Sequence, residues 1–423
     1  MNRYESYKEV NLPWLKEVPS HWEINKVKRY FEITRGRVIP KEELDSNGKY
    51  PVYSSQTENY GIMGYLNTYD FDEVDCITWT TDGEKAGTTF LRSGKYNCTN
   101  ICGILLPKKD KLKDINLAYC NYIIGLGNQH SRRKDTNGYK IMNNEMEKNT
   151  ILLPPLLEQI QIASYLDWKI NEIDRLIKIE KEKIKELNQI MQFIIDSAYK
   201  VLDIQDTIST GTKIKYLAKP ITKRTSESRR YIALENVISK KGVLNVSYDE
   251  LDFNNDGISV EKDMVIFGKL RPYLAKTIVV ENRAVCSSEF LVLKSDNLLP
   301  LYLKYLMLSS KFIDLVDSST YGTKMPRANS DFILNLRIVV PGLSEQKENV
   351  EKILKNEGKI NKSIELILRK MKSMEDLKQS LISEVVTGKI DVRNVVIPEY
   401  EKVTVLDDEA EEFDEMEGIE DGN

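Results

Sequence analysis

Side chains suited to recognition crowd five short stretches of this chain. "YSSQTENYG" (53–61) clusters Ser54, Ser55, Gln56 and Thr57, and "TWTTDGEKAGTTF" (78–90) adds Thr80, Thr81, Lys85 and Thr88 around Gly83, Ala86 and Gly87. "HSRRKDTNGYK" (130–140) carries a basic run with Arg132, Arg133 and Lys140. Further on, "FGKLRPYLAK" (267–276) offers Lys269, Arg271 and Tyr273, and "TYGTKMPRANS" (320–330) offers Lys324 and Arg327. Base edges in the major groove are read by Arg, Lys, Asn, Gln, Ser and Thr, while phosphates take Lys, Arg and backbone N–H groups. These residues are therefore candidate DNA-binding positions. The plainer reading is that they belong to ordinary solvated loops and strand ends.

Bond-making chemistry has no comparable support. There is no GxxxxGK[ST] loop, no GxGxxG after a strand, no HExxH and no [N/D]-P-P-[Y/F/W] loop for a flipped base. "GEK" (83–85) lacks the Pro-Asp partner that a nuclease would need. With only two histidines, a zinc site or a histidine-based catalyst is disfavoured, and no metal site is expected. Five cysteines without a CxxC pair fit a reduced, cytoplasmic chain. The sequence holds no apolar run of about 18 residues, so no membrane span is expected, and residues 1–14 carry no apolar signal core.

The net charge of -4 conceals two opposite parts. Residues 399–423 hold twelve acids and one base, which leaves 60 bases against 53 acids, a net +7, in residues 1–398. Such an acidic block with few apolar residues is expected to stay disordered and to solvate the chain, with a partner-binding or DNA-mimicking role as the alternative.

Elements that could position the loops emerge from an internal repeat. "LLPPLLEQIQIASYLD" (152–167) is echoed by "VVPGLSEQKENVEKIL" (339–354), and Glu158-Gln159 aligns with Glu345-Gln346 at an offset of 187. The same offset pairs "KVK" (26–28) with "KIK" (213–215) and drifts by a few residues between them, as insertions would cause. So long a period means a duplicated module rather than a solenoid. Each copy opens with short strand-like runs, such as "CITWTT" and "DMVIFG", bounded by Gly, Asn and Asp, and so predicts a compact α+β domain.

A long helix follows in each copy. Apolar residues recur at Leu166, Ile170, Ile173, Ile177, Ile184 and Leu187, and again at Ile353, Ile360, Ile364, Ile367, Met371 and Leu381. Alternating steps of three and four make a heptad seam, interrupted by the polar Glu180, Glu357 and Lys378, which could fix its register. A helix over 158–200 would be roughly 65 Å long at about 1.5 Å per residue. With a globular domain between them, the two helices are expected to pair antiparallel and place the domains at opposite ends. The predicted fold is thus α+β: two globular domains, 1–155 and 203–341, separated by coiled-coil helices 156–202 and 342–388 that form an antiparallel intramolecular coiled coil with pseudo-twofold repeat, then an acidic tail, 389–423.

This pattern resembles the specificity subunit of type I restriction-modification systems over nearly the whole chain. The resemblance rests on "LPPLLEQIQIASYLDWKINEIDRLI", on "LISEVVTGKIDVR" (381–393), on "WLKEVPSHWEINKVK" (14–28) and on "KMPRANSDFILNLRIVVPGLSEQ" (324–346). The first helix lacks the TGKIDVR exit and runs on through "SAYKVLDIQ". The resemblance implies two target recognition domains, each reading one part of a bipartite, asymmetric site in double-stranded DNA, with the helices as spacer ruler and as dock for two methyltransferase (modification) subunits. Those partners would bind S-adenosylmethionine and methylate adenine, and motor/restriction subunits would use ATP and Mg2+; the chain itself would bind no cofactor and catalyse nothing. The competing reading is a coiled-coil scaffold whose globular ends bind proteins. A self-sufficient methyltransferase or nuclease is disfavoured by the missing motifs.

Overall fold

A computed structural model describes residues 3–72, 74–136, 138–199, 211–322 and 325–403. The described residues divide into two compact units, one of residues 3–179 with 370–403 and one within 180–369.

In the first unit a four-stranded antiparallel sheet runs in the order Phe31–Arg35, Cys102–Pro107, Cys76–Thr80, Thr89–Arg92. The second unit repeats it as Lys219–Ile221, Phe290–Lys294, Val265–Gly268, Thr277–Val279. Apolar runs such as "CITWT", buried at every position, fit the middle of a sheet covered on both faces. A second sheet in each unit contains one parallel pair, Tyr50–Tyr53 with Asn97–Cys98 and Arg229–Ile232 with Ala284–Cys286. The helix Leu117–Ser131 has its counterpart in Pro300–Leu308 and Ser310–Asp317. The short helices Asn143–Lys148 and Ser330–Asn335 also correspond, 187 residues apart. The repeat predicted from the sequence is therefore a repeat of structure.

Two long helices, Leu156–Ala198 and Leu343–Val386, pack against each other. Between 361 and 380 only Ile364, Ile367, Met371, Met374 and Lys378 escape full exposure, the a/d spacing of a coiled-coil seam. Leu166 and Ile353 are wholly buried, Ile173, Ile177 and Ile360 are buried, and Ile170, Ile184, Leu187, Met371 and Leu381 are half-buried. Fully burying a side chain of that size contributes about 1.5–3 kcal/mol. The pairing is antiparallel in the first unit, where Gln161 Nε2 donates to Val392 O and Val395 O and Lys378 Nζ meets Asp174 Oδ1 at 2.6 Å. The other polar seam positions are satisfied within the second unit. Tyr305 OH donates to Glu357 at 2.7 Å, and buried Glu180 accepts from Lys183 at 2.9 Å.

Both helices begin in the same way. Gln159 accepts from Asn116 N–H at 2.8 Å and donates to Asp114 O and Pro154 O. Gln346 accepts from Leu299 N–H at 3.0 Å and donates to Pro341 O and Asn297 O. Each glutamine thus ties its helix start to the start of the preceding domain helix. The neighbouring glutamates differ. Glu158 is buried and accepts from Tyr4 OH, Trp22 Nε1 and His21 Nε2, whereas Glu345 is exposed.

The first unit is closed by the segment after the second helix. Gly388 O accepts from Tyr7 OH, Ile390 and Val392 are buried with Trp22 and Tyr119, and Val403 N–H donates to Asn171. The acidic residues from Asp407 onward lie outside the described residues. Among the described residues no helix is long and apolar enough to cross a membrane.

Candidate nucleic-acid interface

The loop between Cys76–Thr80 and Thr89–Arg92 is built from its own hydrogen bonds. Thr80 N–H donates to Thr88 O at 3.0 Å, Gly87 N–H to Thr80 O at 2.8 Å, and Ala86 N–H to Gly83 O at 3.1 Å. Gly83 and Gly87 hold left-handed φ angles of 97° and 93°. A Cβ on Gly87 would stand 2.9 Å from Asn128 Cβ, so glycine is required there by space as well as by conformation.

The second unit makes a similar loop 188 residues later, although Ala275 N–H donates to Pro272 O where its counterpart Gly87 bonds Thr80 O. Gly268 N–H donates to Lys276 O at 2.8 Å, Leu274 N–H to Arg271 O at 2.9 Å, and φ is 51° at Arg271 and 47° at Ala275. Left-handed residues fall at equivalent positions in both copies, but the second fills them with arginine and alanine. For such residues the conformation costs roughly 1–3 kcal/mol and persists only where the surroundings impose it, commonly at functional sites. Here Arg271 N–H donates to Pro326 O and Ala328 N–H donates to Lys269 O, locking 267–276 to 326–328.

The candidate residues divide according to what already holds them. Thr80 and Thr88 hydroxyls both donate to Lys85 O, and Thr81 donates to Ile101 O, so these three shape the loop. Ser54 is buried; Ser55 accepts from Thr81 N–H and donates to Ile101 O, and Gln56 donates to Ile62 O. Thr57 is half-buried just ahead of the turn Glu58–Gly61. Lys140 lies between Asp82 and Asp135, at 3.1 and 3.2 Å, and these carboxylates, Asp82 first, hold its pKa above the ordinary lysine value. Strands Arg133–Asp135, Gly138–Lys140 and Asp82–Gly83 form one small sheet, which joins the 78–90 and 130–140 stretches. Within it Arg132 stacks over Tyr139 at 4.0 Å and Arg133 pairs with Glu145 at 2.8 Å. Lys85 is exposed at the tip.

In the second unit Arg327 pairs with Glu289 at 3.0 Å, and Arg271 Nε donates to Tyr273 OH. Lys269 donates to Ser288 O, and burial followed by the nearby Arg327 keeps its pKa below the ordinary lysine value. Lys324 lies outside the described residues. The stretches thus gather into one surface in each unit: 78–90 with 130–140 and the 54–57 turn in the first, 267–276 with 325–328 in the second.

Sequence reasoning missed the buried amides that hold the first surface. Asn128 Nδ2 donates to Gly87 O at 2.9 Å, and Asn149 Nδ2 donates to Asn128 Oδ1 at 2.7 Å. Asn128 sits within "LAYCNYIIGLGNQHS", where a polar residue on a buried helical face was the available signal.

Comparisons with known proteins agree with this duplicated architecture. The family described as type I restriction modification DNA specificity domain matches residues 19–189 and 201–368. A type I specificity subunit of Mycoplasma pneumoniae is 36% identical over 156 residues, 37% of this chain and 41% of that protein. A second from that organism is 45% identical over 95 residues, 22% of this chain and 50% of its own length, so the match spans half or less of these two relatives. The specificity subunit of the type I restriction enzyme MjaVIII of Methanocaldococcus jannaschii is 24% identical over 92% of this chain and 98% of its own. In fold, the chain is similar to one in a structure described as the basis of complex assembly and conformational transition of the type I R-M system. That likeness has a TM-score of 0.61 at 11% identity, covering 88% of this chain and 99% of the other. With matched specificity domains over most of its length, the chain belongs to the type I restriction-modification specificity subunits.

Proposed function

We propose that this chain is the non-catalytic, sequence-reading subunit of a cytoplasmic type I restriction-modification complex, and that it reads a bipartite, asymmetric duplex site. The observation that carries this reading is the pair of equivalent loops. One backbone frame is presented twice, with Asp82, Gly83, Glu84 and Lys85 in the first copy and Leu270, Arg271, Pro272 and Tyr273 at the corresponding places in the second. Related frames with left-handed residues at the same places but different donors suit two unlike half-sites. Exposed Lys85 is the readiest cation to meet phosphates or base edges, and Lys269, Arg271 and Arg327 would share or exchange their present partners to do so, whereas the threonine hydroxyls shape the loops.

The long helices serve as spacer and as dock for two methyltransferase subunits, and through them for motor subunits. Support for docking comes from apolar side chains left exposed away from the seam: Leu157, Leu176 and Ile179, then Ile190 and Phe193. S-adenosylmethionine, ATP and Mg2+ belong to those partners in this reading. Mapping methylated adenines in cells carrying this chain with its partner methyltransferase tests it. Two fixed half-sites flanking unspecified bases are expected. A chain that binds proteins but shows no salt-dependent affinity for duplex DNA would instead be a scaffold.

A further inference from the structure

The two copies differ sharply at one buried place. Strand register pairs Thr78 with Phe90 and Cys76 with Arg92 in the first, and Ile266 with Ile278 in the second, so that Arg92 falls where the second copy has Val280. Both are buried, at 4% and 1% exposure. Val280 lies in an apolar cluster with Met264, Ile266 and Ile278. Arg92 has no such company. Its Nε donates to Thr78 Oγ1 at 3.0 Å, and its guanidinium stacks on Tyr53 at 3.6 Å and on Phe90 at 4.5 Å. Its Nη2 is buried without a hydrogen-bond partner among the described residues. The titratable groups around it are the Cys76, Cys98 and Cys102 thiols and the Tyr53 phenol, with no carboxylate among them.

A buried cation is costly, and apolar replacements of buried charges are often neutral or stabilising. The second copy shows that this fold is complete with valine at the same place. The fold itself thus does not demand a cation at this place, and what Arg92 touches points to its use. Nη2 lies 3.0 Å from where a Cβ on Gly61 would stand, and Gln56 O and Ser54 O lie 3.1 and 3.5 Å from that point. Tyr53, the ring on which it stacks, leads directly into the same turn. That turn runs through three consecutive left-handed residues, Asn59, Tyr60 and Gly61, at φ 45°, 52° and 78°. A tyrosine holds such an angle only where its surroundings over-determine it. In the second copy the equivalent strand, Arg229–Ile232, leads into a longer segment, 233–252, and the cation is gone.

We infer that Arg92 is a positioning residue for DNA reading: it holds the 54–61 turn in the shape that decides which bases the first domain accepts. The inference rests on the proposal that the two domains read DNA. Base preference at each half-site is to be measured for the full chain on randomised duplexes at fixed salt, with Arg92→Val, Arg92→Met and Arg92→Lys beside the parent. The valine and methionine variants should fold, although Thr78 Oγ1 loses its donor, and should lose on the order of tenfold discrimination at the first half-site alone. Lysine should restore part of it. First-half-site preference kept by the valine or methionine variant overturns the inference, as does equal weakening at both half-sites with a lowered melting temperature. Should valine fail to fold, methionine and lysine decide on the same criteria. A parent chain with no base preference anywhere overturns the DNA-reading proposal and this inference with it.

Discussion

Arg271 combines two features that are usually separated, a strained backbone and a loop cation, here bonded through Nε to Tyr273 OH. At the equivalent place Gly83 adopts its left-handed angle without strain, whereas an L-residue with a Cβ is disfavoured there by roughly 1–2 kcal/mol. Arg271→Gly should relieve that strain and Arg271→Ala should not, so in urea unfolding the glycine variant should be the more stable by about 1 kcal/mol. Both should lose discrimination only at the second half-site, by about 1–3 kcal/mol if the guanidinium reads a base. An alanine variant more stable than the glycine variant would contradict the strain argument. The composition of these loops was legible in the sequence; the commitments of their side chains were not. Thr80 and Thr88 look like donors for a ligand until both are seen bonded to Lys85 O, a pairing set by a loop closure that no spacing rule predicts.

At the scale of elements, the repeated Glu-Gln pair is a case of equal sequence and unequal duty. Gln159 and Gln346 make matching bonds, so replacing either by alanine leaves a half-buried N–H and two carbonyls without these partners and should cost about 1–3 kcal/mol. The glutamates diverge. Glu158→Ala strands Tyr4 OH and Trp22 Nε1 and should cost a similar amount, whereas Glu345→Ala, at an exposed position, should stay within about 0.5 kcal/mol. Equal losses from the two glutamate variants in thermal unfolding would refute this division. Heptad spacing made the helices and their seam readable in advance, because burial at a and d follows from helix geometry alone. What each polar residue bonds depends instead on tertiary packing. Glu357 of the seam reaches Tyr305 of its own domain, which helical periodicity does not encode.

For the molecule as a whole, the proposed ruler makes a geometric prediction. Inserting four residues after Glu180, with four matching residues in the second helix, should lengthen the arm by about 6 Å. With ~3.4 Å per base pair, methylation mapping should show the unspecified spacer grown by about two base pairs and both half-sites intact. Altered half-sites with an unaltered spacer would end the ruler idea.

The closing of the first unit by residues 387–403 has a consequence for how the protein is made. Trp22 and Tyr119 share their core with Ile390 and Val392, and Tyr7 bonds Gly388 O, so the earlier of the two domains cannot finish its core until residues 388–392 have been synthesised. The second domain's sheet and helices need no such wait, since they lie within 212–338. The later domain's core cluster ends at Ile353, so a message cut short between residues 354 and 380 would carry all of that cluster while lacking Val385, Val386, Ile390 and Val392 of the earlier one.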